Sequence, residues 1–510
     1  MAVRPAFLSA AFAASLALLA CSPDGAPGDG SDPDAAAPAS AEAASAALAA
    51  FGLDEPGRVT WARRTQDGAT FTFDQVSIED PQGELTAEQL VIAGARLTEA
   101  GPLFDRFELI GGRVSEQAGD LSARFDRLAI VEAGPEAAEA VAAALQGREA
   151  LFDAADPAAG RFGEMVVEAL AVTGTSETGQ PLDFSVGLAR ALGHDGERID
   201  ALRLEQLRLE TADETGAPVQ VSLQAVSAEG VASQLAGLAG PGAAPAAPLA
   251  EALTPSSQYD RFSLTGLEVR AGGARIDLPE LTGAVEEAGE GRLISRTVMN
   301  QMSLSADPEA GAQGAQLAQA LDQLGYDALN FSLENAVSYD LEADEVQTIE
   351  ENYLRLEDGF TLRFEQTARG VGAYAERYAQ WLEESGAAGQ APPAEVFEPL
   401  LIERMMVELE DESLLDRSLG ALAQMQGVTP EQLRVQAGAY VALGAAFAGD
   451  LIPPRLLSEL QSALTGFIGQ GGVLTVTMAP EEPVSMSAVM AENGMRDSDA
   501  LGLSVTHAGP

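Results

Sequence analysis

One eleven-residue pattern recurs along the chain and constrains its fold more than any other feature. Phe104 to Val114 reads FDRFELIGGRV, and Tyr259 to Val269 reads YDRFSLTGLEV. Apolar and polar residues alternate after the shared Asp, and the alternation then shifts by one residue. A period of two is typical of half-buried β-strands, because successive side chains point to opposite faces of a sheet. The shift predicts a bulge or corner in each strand.

Further copies of the pattern vary at the Asp position. Ile199 to Leu209 fits fully, Phe162 to Val172 has Gly163 there, and Ala87 to Leu97 has Glu88. Glycines often stand beside the shift: Gly94, Gly111, Gly112 and Gly266. We interpret the Asp as a turn or backbone hydrogen-bonding residue rather than a ligand. The copies have no fixed spacing, which favours a repeatedly extended sheet over a regular solenoid.

Helix and strand signals complete the fold prediction. Pro-Glu-Ala opens two Ala-rich helices, in 132–147 and 305–325, and 227–240 is a weaker third case. Strands are predicted near 328–341, 347–356, 360–368, 402–411 and 473–478, and C-terminal helices over 414–425, 430–448 and 454–468. We predict an α+β fold. It has an extended, curved, mostly antiparallel β-sheet of bent strands, with Ala-rich helices packed on it and a more helical C-terminal region.

Composition shifts divide the chain into seven predicted parts. They are a signal peptide (1–20), a disordered tether (21–41), a β-rich repeat region (42–240), a linker (241–258), a second β-rich region with helices (259–385), a linker (386–396) and an α+β C-terminal region (397–510). The linkers are rich in Pro, Gly and Ala, which is typical of domain boundaries.

The N-terminal segment predicts a membrane address. Arg4 is followed by an apolar run, and Leu18-Leu19-Ala20-Cys21 resembles the bacterial lipobox. The resemblance implies cleavage before Cys21, acylation of that cysteine and attachment to a membrane through its lipid. Ser22 follows the cysteine. With Ser22 at this position, the lipobox resemblance implies that the protein is attached to the periplasmic face of the outer membrane, with inner-membrane retention as the alternative.

Composition argues against most classes of enzyme. The chain contains no lysine, and its two histidines, His194 and His507, are far apart and expected at the surface. Walker A loops, lysine Schiff bases, Ser-His pairs and histidine zinc sites are therefore excluded. The formal net charge of −49 excludes a nucleic-acid partner. We expect neither catalysis nor a cofactor or metal.

One aromatic stripe is the candidate binding feature. Val371, Tyr374, Tyr378 and Trp381 are spaced so that all four share one face of a predicted helix. Tyr374, Tyr378 and Trp381 either pack on the sheet or line a groove for a lipid or other ligand.

Two resemblances add expectations about function. ELEDESLLDRSLG to QGVTPEQLR (408–434) resembles the C-terminal region of uncharacterised periplasmic proteins from alphaproteobacteria. The strand repeats are more loosely similar to AsmA-like proteins, which use long curved sheets in the envelope and are linked to outer-membrane lipid homeostasis. The chain departs from that family because a lipobox replaces the N-terminal membrane helix.

Three functions remain open from the sequence. The first is a non-catalytic envelope lipoprotein that handles lipid acyl chains in an apolar trough during outer-membrane maintenance. The second is a ligand-free periplasmic scaffold that binds other envelope proteins. The third is a glycan hydrolase that depends on paired carboxylates.

Overall fold

The structure is a computed structural model that describes residues 41–80, 83–99, 101–116, 121–148, 160–176, 179–196, 198–213, 216–232, 259–289, 291–307, 310–385, 392–448, 452–490 and 499–510. The predicted signal peptide, Cys21 and the linker 241–258 lie outside these residues. The chain divides into two compact units. The first unit comprises Met1–Ala243 and Ser257–Ala271, and the second comprises Ala244–Ser256 and Gly272–Pro510.

Among its described residues, the first unit contains two helices, one main sheet and a two-stranded ribbon. In chain order these elements are α1 (Ala41–Ala50), β1 (Val59–Thr60), β2 (Arg63–Asp67), β3 (Thr70–Asp80), β4 (Gly83–Ala93), β5 (Arg96–Thr98), β6 (Gly101–Leu103), β7 (Arg106–Glu116), β8 (Leu121–Val131), α2 (Pro135–Gln146), β9 (Phe162–Thr175), β10 (Pro181–His194), β11 (Arg198–Ala212), β12 (Pro218–Ala232) and β13 (Arg261–Ala271).

Successive strands of the first unit pair with one another. β1 and β2 both pair with β3, and the sheet then runs through β4, β7 and each following strand to β13, always antiparallel. β5 and β6 form a separate two-stranded ribbon. One continuous hydrophobic core joins the helices to the sheet, and it includes Leu48 of α1, Val141 of α2 and Phe73, Leu90 and Ile130 of the strands.

Each long strand of this sheet contains, or is directly followed by, a residue with left-handed backbone geometry. The residues form two rows across the sheet. The first left-handed row consists of Gln75, Gly111, Ala169, Gln206 and Gly266, and the second consists of Gly94, Glu132, Gly193 and Gly230. Along the first row, every second strand contributes a left-handed residue. The strands that alternate with these contribute Glu88, Asp126, Gly187 and Gln224 at the same level.

The left-handed residues cause the predicted shift in alternation. In β3, Phe71 and Phe73 are buried before the first row, and Val76 and Ile78 are buried after it. Both strands of each pair change their alternation at the level of the first row. Their pairing therefore keeps the same register on both sides of that row. The sequence-predicted corner is therefore confirmed, and it occurs without the register change that defines a bulge.

The repeated Asp lies directly opposite a left-handed residue of the preceding strand. A Cβ atom added to Gly94 would lie 2.0 Å from the Asp105 carboxylate, and one added to Gly230 would lie 2.0 Å from the Asp260 carboxylate. Asp260 Oδ1 accepts a hydrogen bond from Arg198 Nη2 at 2.7 Å. The Asp therefore has a structural role at the second left-handed row.

The second unit contains both long and short strands and most of the described helical residues. Its elements are β14 (Ala274–Glu287), β15 (Arg292–Ala306), α3 (Ala312–Leu324), β16 (Ala328–Asp340), β17 (Glu345–Thr348), β18 (Tyr353–Leu356), β19 (Phe360–Arg369), α4 (Val371–Ser385), a 3-10 helix (Ala394–Phe397), β20 (Leu401–Asp411), α5 (Leu414–Gln426), α6 (Pro430–Ala448), α7 (Pro454–Gln470), β21 (Gly472–Met478), β22 (Val484–Ser485), α8 (Met486–Met490) and β23 (Leu503–Ala508).

Strand pairing in the second unit is antiparallel but changes register. The sheet runs from β14 through β15 and β16 to β17 and β18, and then through β19, β20 and β21 to β23. Register shifts interrupt the β14–β15 pair near Glu280, the β15–β16 pair between Met299 and Met302, and the β19–β20 pair between Thr367 and Ala368.

The predicted fold class is confirmed: the protein is α+β and dominated by antiparallel sheet. One local prediction differs from the structure. The predicted helix 227–240 is wrong for residues 227–232, which belong to β12, since pairing with β11 and β13 outweighs their helix propensity. The second copy of the pattern, in β13, groups with the first unit.

Candidate ligand-binding groove

A cavity of about 890 Å³ lies along the first left-handed row of the first unit. Residues from β4 and from each strand from β7 to β13 line it, including Glu88, Asp126 and Gln224. We call this cavity the groove. It crosses the strands at the level where their alternation shifts, so the repeated pattern builds it one strand at a time.

Small residues keep the floor of the groove open. A Cβ added to Gly111 would lie 2.7 Å from Glu88, one added to Gly187 would lie 2.5 Å from Gln206, and one added to Gly266 would lie 2.8 Å from Gln224. Each of these glycines therefore provides the space in which a long polar side chain of a neighbouring strand lies.

A row of cross-strand pairs along the groove contains three arginines. Arg113 lies directly opposite Arg124, and Arg124 lies opposite Ala171. The row continues through Ser185 to Arg208 and then to Ser222. Directly opposite residues point to the same face of a sheet, so the three guanidinium groups share the groove face. All three arginines are exposed.

The three groove arginines have no partner within the described part of the chain. The side chains of Arg113, Arg124 and Arg208 form no hydrogen bond or ion pair with the residues described there. The chain contains 78 acidic residues and 29 basic ones, so arginines without a carboxylate partner need an explanation. Like charges directly opposite on a sheet are destabilising, which adds to the cost of the Arg113–Arg124 pair.

A neighbouring arginine in the same strand behaves differently. Arg127 Nε donates to Glu108 Oε1 at 2.5 Å, and Arg127 Nη1 donates to Glu168 Oε1 at 3.0 Å. The hydrogen bond to Glu108 is the main cause of the raised pKa of Arg127. β8 therefore carries one arginine that is neutralised by two carboxylates and, three residues earlier, Arg124, which has no such partner.

The predicted aromatic residues occupy a different place. Tyr374 is 1% exposed, and its ring lies 5.4 Å from that of Phe397 between centroids. Tyr378 is also buried, and the Trp381 ring lies 5.6 Å from it. All three lie on the face of α4 that packs against the sheet, in the largest hydrophobic cluster of the second unit. The groove in the first unit is lined by other residues.

The two histidines are not the surface residues that the sequence suggested. His194 is 3% exposed, stacks on Phe162 with 5.1 Å between ring centroids, and has Nδ1 3.0 Å from the Gly160 carbonyl oxygen. Its neighbouring glycines suggested an exposed loop, but His194 ends β10 and lies directly opposite Phe162. His507 is half-buried, with Nε2 2.8 Å from the Gly471 carbonyl oxygen.

Two further cavities lie within the second unit. One of about 340 Å³ is mainly apolar and is bounded by Phe360, Leu409 and Phe467. Asp411 also borders it, and burial raises the pKa of this carboxyl group. The Asp411 carboxylate accepts a hydrogen bond from the Leu415 amide at 2.9 Å, so it stabilises the start of α5. The other cavity, of about 560 Å³, is polar and lies beside β17 and β19.

Comparison with known proteins bears on the second unit. Residues 353–508 match a family model described as "Uncharacterized protein". The match covers less than half of the chain and begins at β18, so it contains none of the groove residues. No curated protein matches the chain.

Two features are absent from the described residues. None of the helices described is both long enough and apolar enough to cross a membrane. The same residues contain no group of three or more His, Cys, Asp or Glu side chains placed to hold a metal ion.

Sequence reasoning missed the groove arginines, although a signal was present. Arg113 and Arg208 both occupy the tenth position of the eleven-residue pattern, between two apolar positions. The alternation places that position on the face away from the core. Arg124 precedes a shorter copy that begins at Phe125, and only strand pairing reveals that it faces Arg113.

Proposed function

We propose that this protein is a non-catalytic lipoprotein of the bacterial envelope that binds a lipid through its headgroup. The observation that carries the proposal is the groove, where three exposed arginines without described partners share one face of the sheet of a strongly acidic protein. Guanidinium groups bind the phosphates and carboxylates of lipid headgroups through paired hydrogen bonds. Acylation of Cys21 would hold this groove near a membrane, on the periplasmic face of the outer membrane.

The character of the groove modifies the sequence-based hypothesis of an apolar trough. Its central row consists of arginine, serine and alanine, and Phe125, Leu170 and Val186, which also border the groove, belong to the core. A polar row suits a headgroup better than an acyl chain, because burying apolar surface is what binds acyl chains. The proposed ligand therefore presents its headgroup to the sheet.

A groove-filling variant tests the proposal. The mature chain would be purified with Cys21→Ser, so that its own acyl groups are absent, and its bound lipids would be extracted and identified by mass spectrometry. Ser185→Trp places a large ring in the groove, and we expect it to remove the bound lipid. Ser115→Trp is the matched control, because Ser115 is exposed in the same sheet outside the groove. Lipid-free parent protein, or lipid that survives Ser185→Trp, would contradict the proposal.

The membrane address has its own experiment. Cells grown with a clickable fatty acid should label the parent chain and not the Cys21→Ser chain. Separation of inner and outer membranes would then locate the labelled protein. Absence of label from the parent chain would remove the lipoprotein part of the proposal and leave the headgroup test unaffected.

A scaffold function is the second candidate, supported by the exposed face of α6. Val435 is 75% exposed, Tyr440 72% and Phe447 77%. The helix contains no charged residue after Arg434. An uncharged, exposed helix face suits contact with an apolar surface of another protein. A photo-crosslinking residue at position 435 should capture an envelope protein in cells if this function holds, and a crosslinker at exposed Gln424 of α5 serves as the control.

A further inference from the structure

We propose that the three groove arginines form a two-point subsite for two phosphate groups held about 17 Å apart. The inference rests on the proposed function, since it names the ligand chemistry of the same groove. One point is the opposed pair Arg113 and Arg124, and the other is Arg208.

The first point favours a doubly charged anion. Directly opposite residues in an antiparallel pair have Cβ atoms about 4.5–5.5 Å apart, so the Arg113 and Arg124 side chains can reach one group together. A phosphate monoester carries a charge of about −1.5 to −2 near neutral pH and has three acceptor oxygens. It can therefore neutralise both guanidinium groups, whereas a single carboxylate or phosphodiester neutralises only one.

The spacing of the second point follows from the strand order. Arg124 lies opposite Ala171, Ala171 opposite Ser185, and Ser185 opposite Arg208. The first point lies midway between Arg113 and Arg124, half a step before Arg124. Three and a half steps between adjacent strands, each about 4.8 Å, give roughly 17 Å between the two points at the level of the backbone. The alanine and serine between them are small, which leaves room for the body of a ligand that connects two phosphates.

Neutral polar groups and carboxylates in the groove limit the ligand further. Ser185, Ser222 and Gln206 can donate hydrogen bonds to a polar linker. Glu88 and Asp126 also line the groove, and their charge opposes a ligand with more anionic groups than the arginines neutralise. Together with the net charge of −49, they disfavour long polyanions. A small molecule or headgroup with a phosphate monoester at the first point and a second phosphate group at the other satisfies these conditions.

A molecular ruler tests the spacing. Alkane-α,ω-diol bisphosphates of increasing chain length would be titrated calorimetrically into the full mature chain carrying Cys21→Ser. We expect affinity to be highest for the bisphosphate whose phosphates lie about 17 Å apart. Inorganic phosphate and a short-chain phosphatidic acid are the single-phosphate probes, and comparing these two distinguishes a free phosphate from a lipid headgroup as the source.

Single substitutions assign each point. Arg208→Gln should abolish the length preference and leave the affinity of a single-phosphate probe. Arg124→Gln should weaken every probe by about tenfold or more, since hydrogen bonds to charged groups are the strong ones. Arg190→Gln is the control for loss of one positive charge, because Arg190 lies on β10 and is already paired with Glu164 at 2.7 Å. We expect it to change no affinity.

Three results would overturn the inference. They are equal affinity for all chain lengths, an optimum that persists in Arg208→Gln, and equal weakening by Arg190→Gln and Arg124→Gln. If bisphosphates fail while lipid still co-purifies and is lost on Ser185→Trp, the headgroup function stands and the phosphate subsite does not. If lipid is also absent from the parent protein, both proposals fail.

Discussion

The two units build antiparallel sheet in different ways. In the first unit the strands from β3 to β13 in the main sheet change their alternation at shared levels, and their pairing stays in register. In the second unit the changes occur in single strand pairs and shift the register each time. A shared level places equivalent side chains side by side across many strands, which is what a groove with repeated chemistry requires. Isolated shifts shape a sheet locally without producing such a row.

The cores differ in the same sense. The first unit has one continuous core, whereas the second has a main cluster under α4 and two small clusters among its C-terminal helices. Apart from Leu97, the large exposed apolar side chains among the described residues belong to the second unit. The first unit therefore buries its apolar surface within itself, and the second leaves part of that surface available to other molecules.

The largest effect should come from the continuous core. Phe104 is fully buried, and its ring lies 6.0 Å from that of Phe51 and 5.9 Å from that of Phe107. We expect Phe104→Ala to lower the free energy of unfolding by about 3–5 kcal/mol. Leu419→Ala, in a small cluster of the second unit, should cost about 2 kcal/mol. Urea denaturation of both variants measures this, and equal losses would break the distinction between the cores.

A glycine of the second left-handed row provides the next effect. Gly94→Ala should cost about 1–2 kcal/mol for the left-handed conformation and about 1–3 kcal/mol more for displacing the Asp105 carboxylate. Gly68→Ala should cost only the first amount, because Gly68 has a φ of +59° and open space around it. Differential scanning calorimetry compares the two, and identical shifts in Tm would show that Asp105 does not fix the row.

Tyrosines give the second unit a distinctive response to alkali. The Tyr339 hydroxyl donates to Asp344 Oδ1 at 2.6 Å, and burial, reinforced by this hydrogen bond to Asp344, raises the Tyr339 pKa. Burial also raises the pKa values of Tyr326 and Tyr374. A raised folded-state pKa contributes stability that is complete below the unfolded value of about 10 and is lost as pH rises through the folded value.

We therefore expect stability to fall above about pH 10, with the second unit opening first. Tyr339→Phe should cost about 1.5–3 kcal/mol at neutral pH, since it removes a hydrogen bond to a charged group. It should also reduce the alkaline loss. Urea denaturation of both chains across a pH series measures the loss at neutral pH and the alkaline loss. Hydrogen exchange followed by mass spectrometry reports which unit opens first. Earlier exchange in the first unit would contradict this order.

The smallest effect concerns left-handed residues that are not glycine. Ala169 has a φ of 53° and an exposed side chain. Ala169→Gly removes about 1–2 kcal/mol of strain and costs about 0.4–1 kcal/mol through greater unfolded-state entropy, so we expect a net gain of about 0–1.6 kcal/mol. Asp344→Gly should instead destabilise, because the Asp344 carboxylate accepts from Tyr339 and from the Gly372 amide at 2.7 Å. Thermal unfolding of both variants decides whether the two units hold their left-handed residues differently.

The predictable part of this fold is the part written within single strands. Alternation and its shift can be read from the sequence because the side-chain period is a local property. The opposition of Arg113 and Arg124 could not be read, since it depends on which residues of two strands pair. His194 was placed wrongly for the same reason, because Phe162 meets it through pairing with β9. The aromatic stripe of α4 was visible as a shared face, but its surroundings are set by tertiary packing.

The alignment of the left-handed residues has a consequence for how such a sheet can grow. In each strand, one residue faces the left-handed residue of a neighbouring strand, and the strand's own left-handed residue follows six positions later. Asp105 and Gly111 are one example, and Asp260 and Gly266 are another. Reversing the strand direction exchanges the two rows and leaves the pattern unchanged. A duplicated hairpin inserted anywhere would therefore match the strands on both sides without further substitutions. Gene duplication would lengthen the groove by about 10 Å for each added pair of strands, so ligand length becomes a quantity that evolution can adjust in fixed increments.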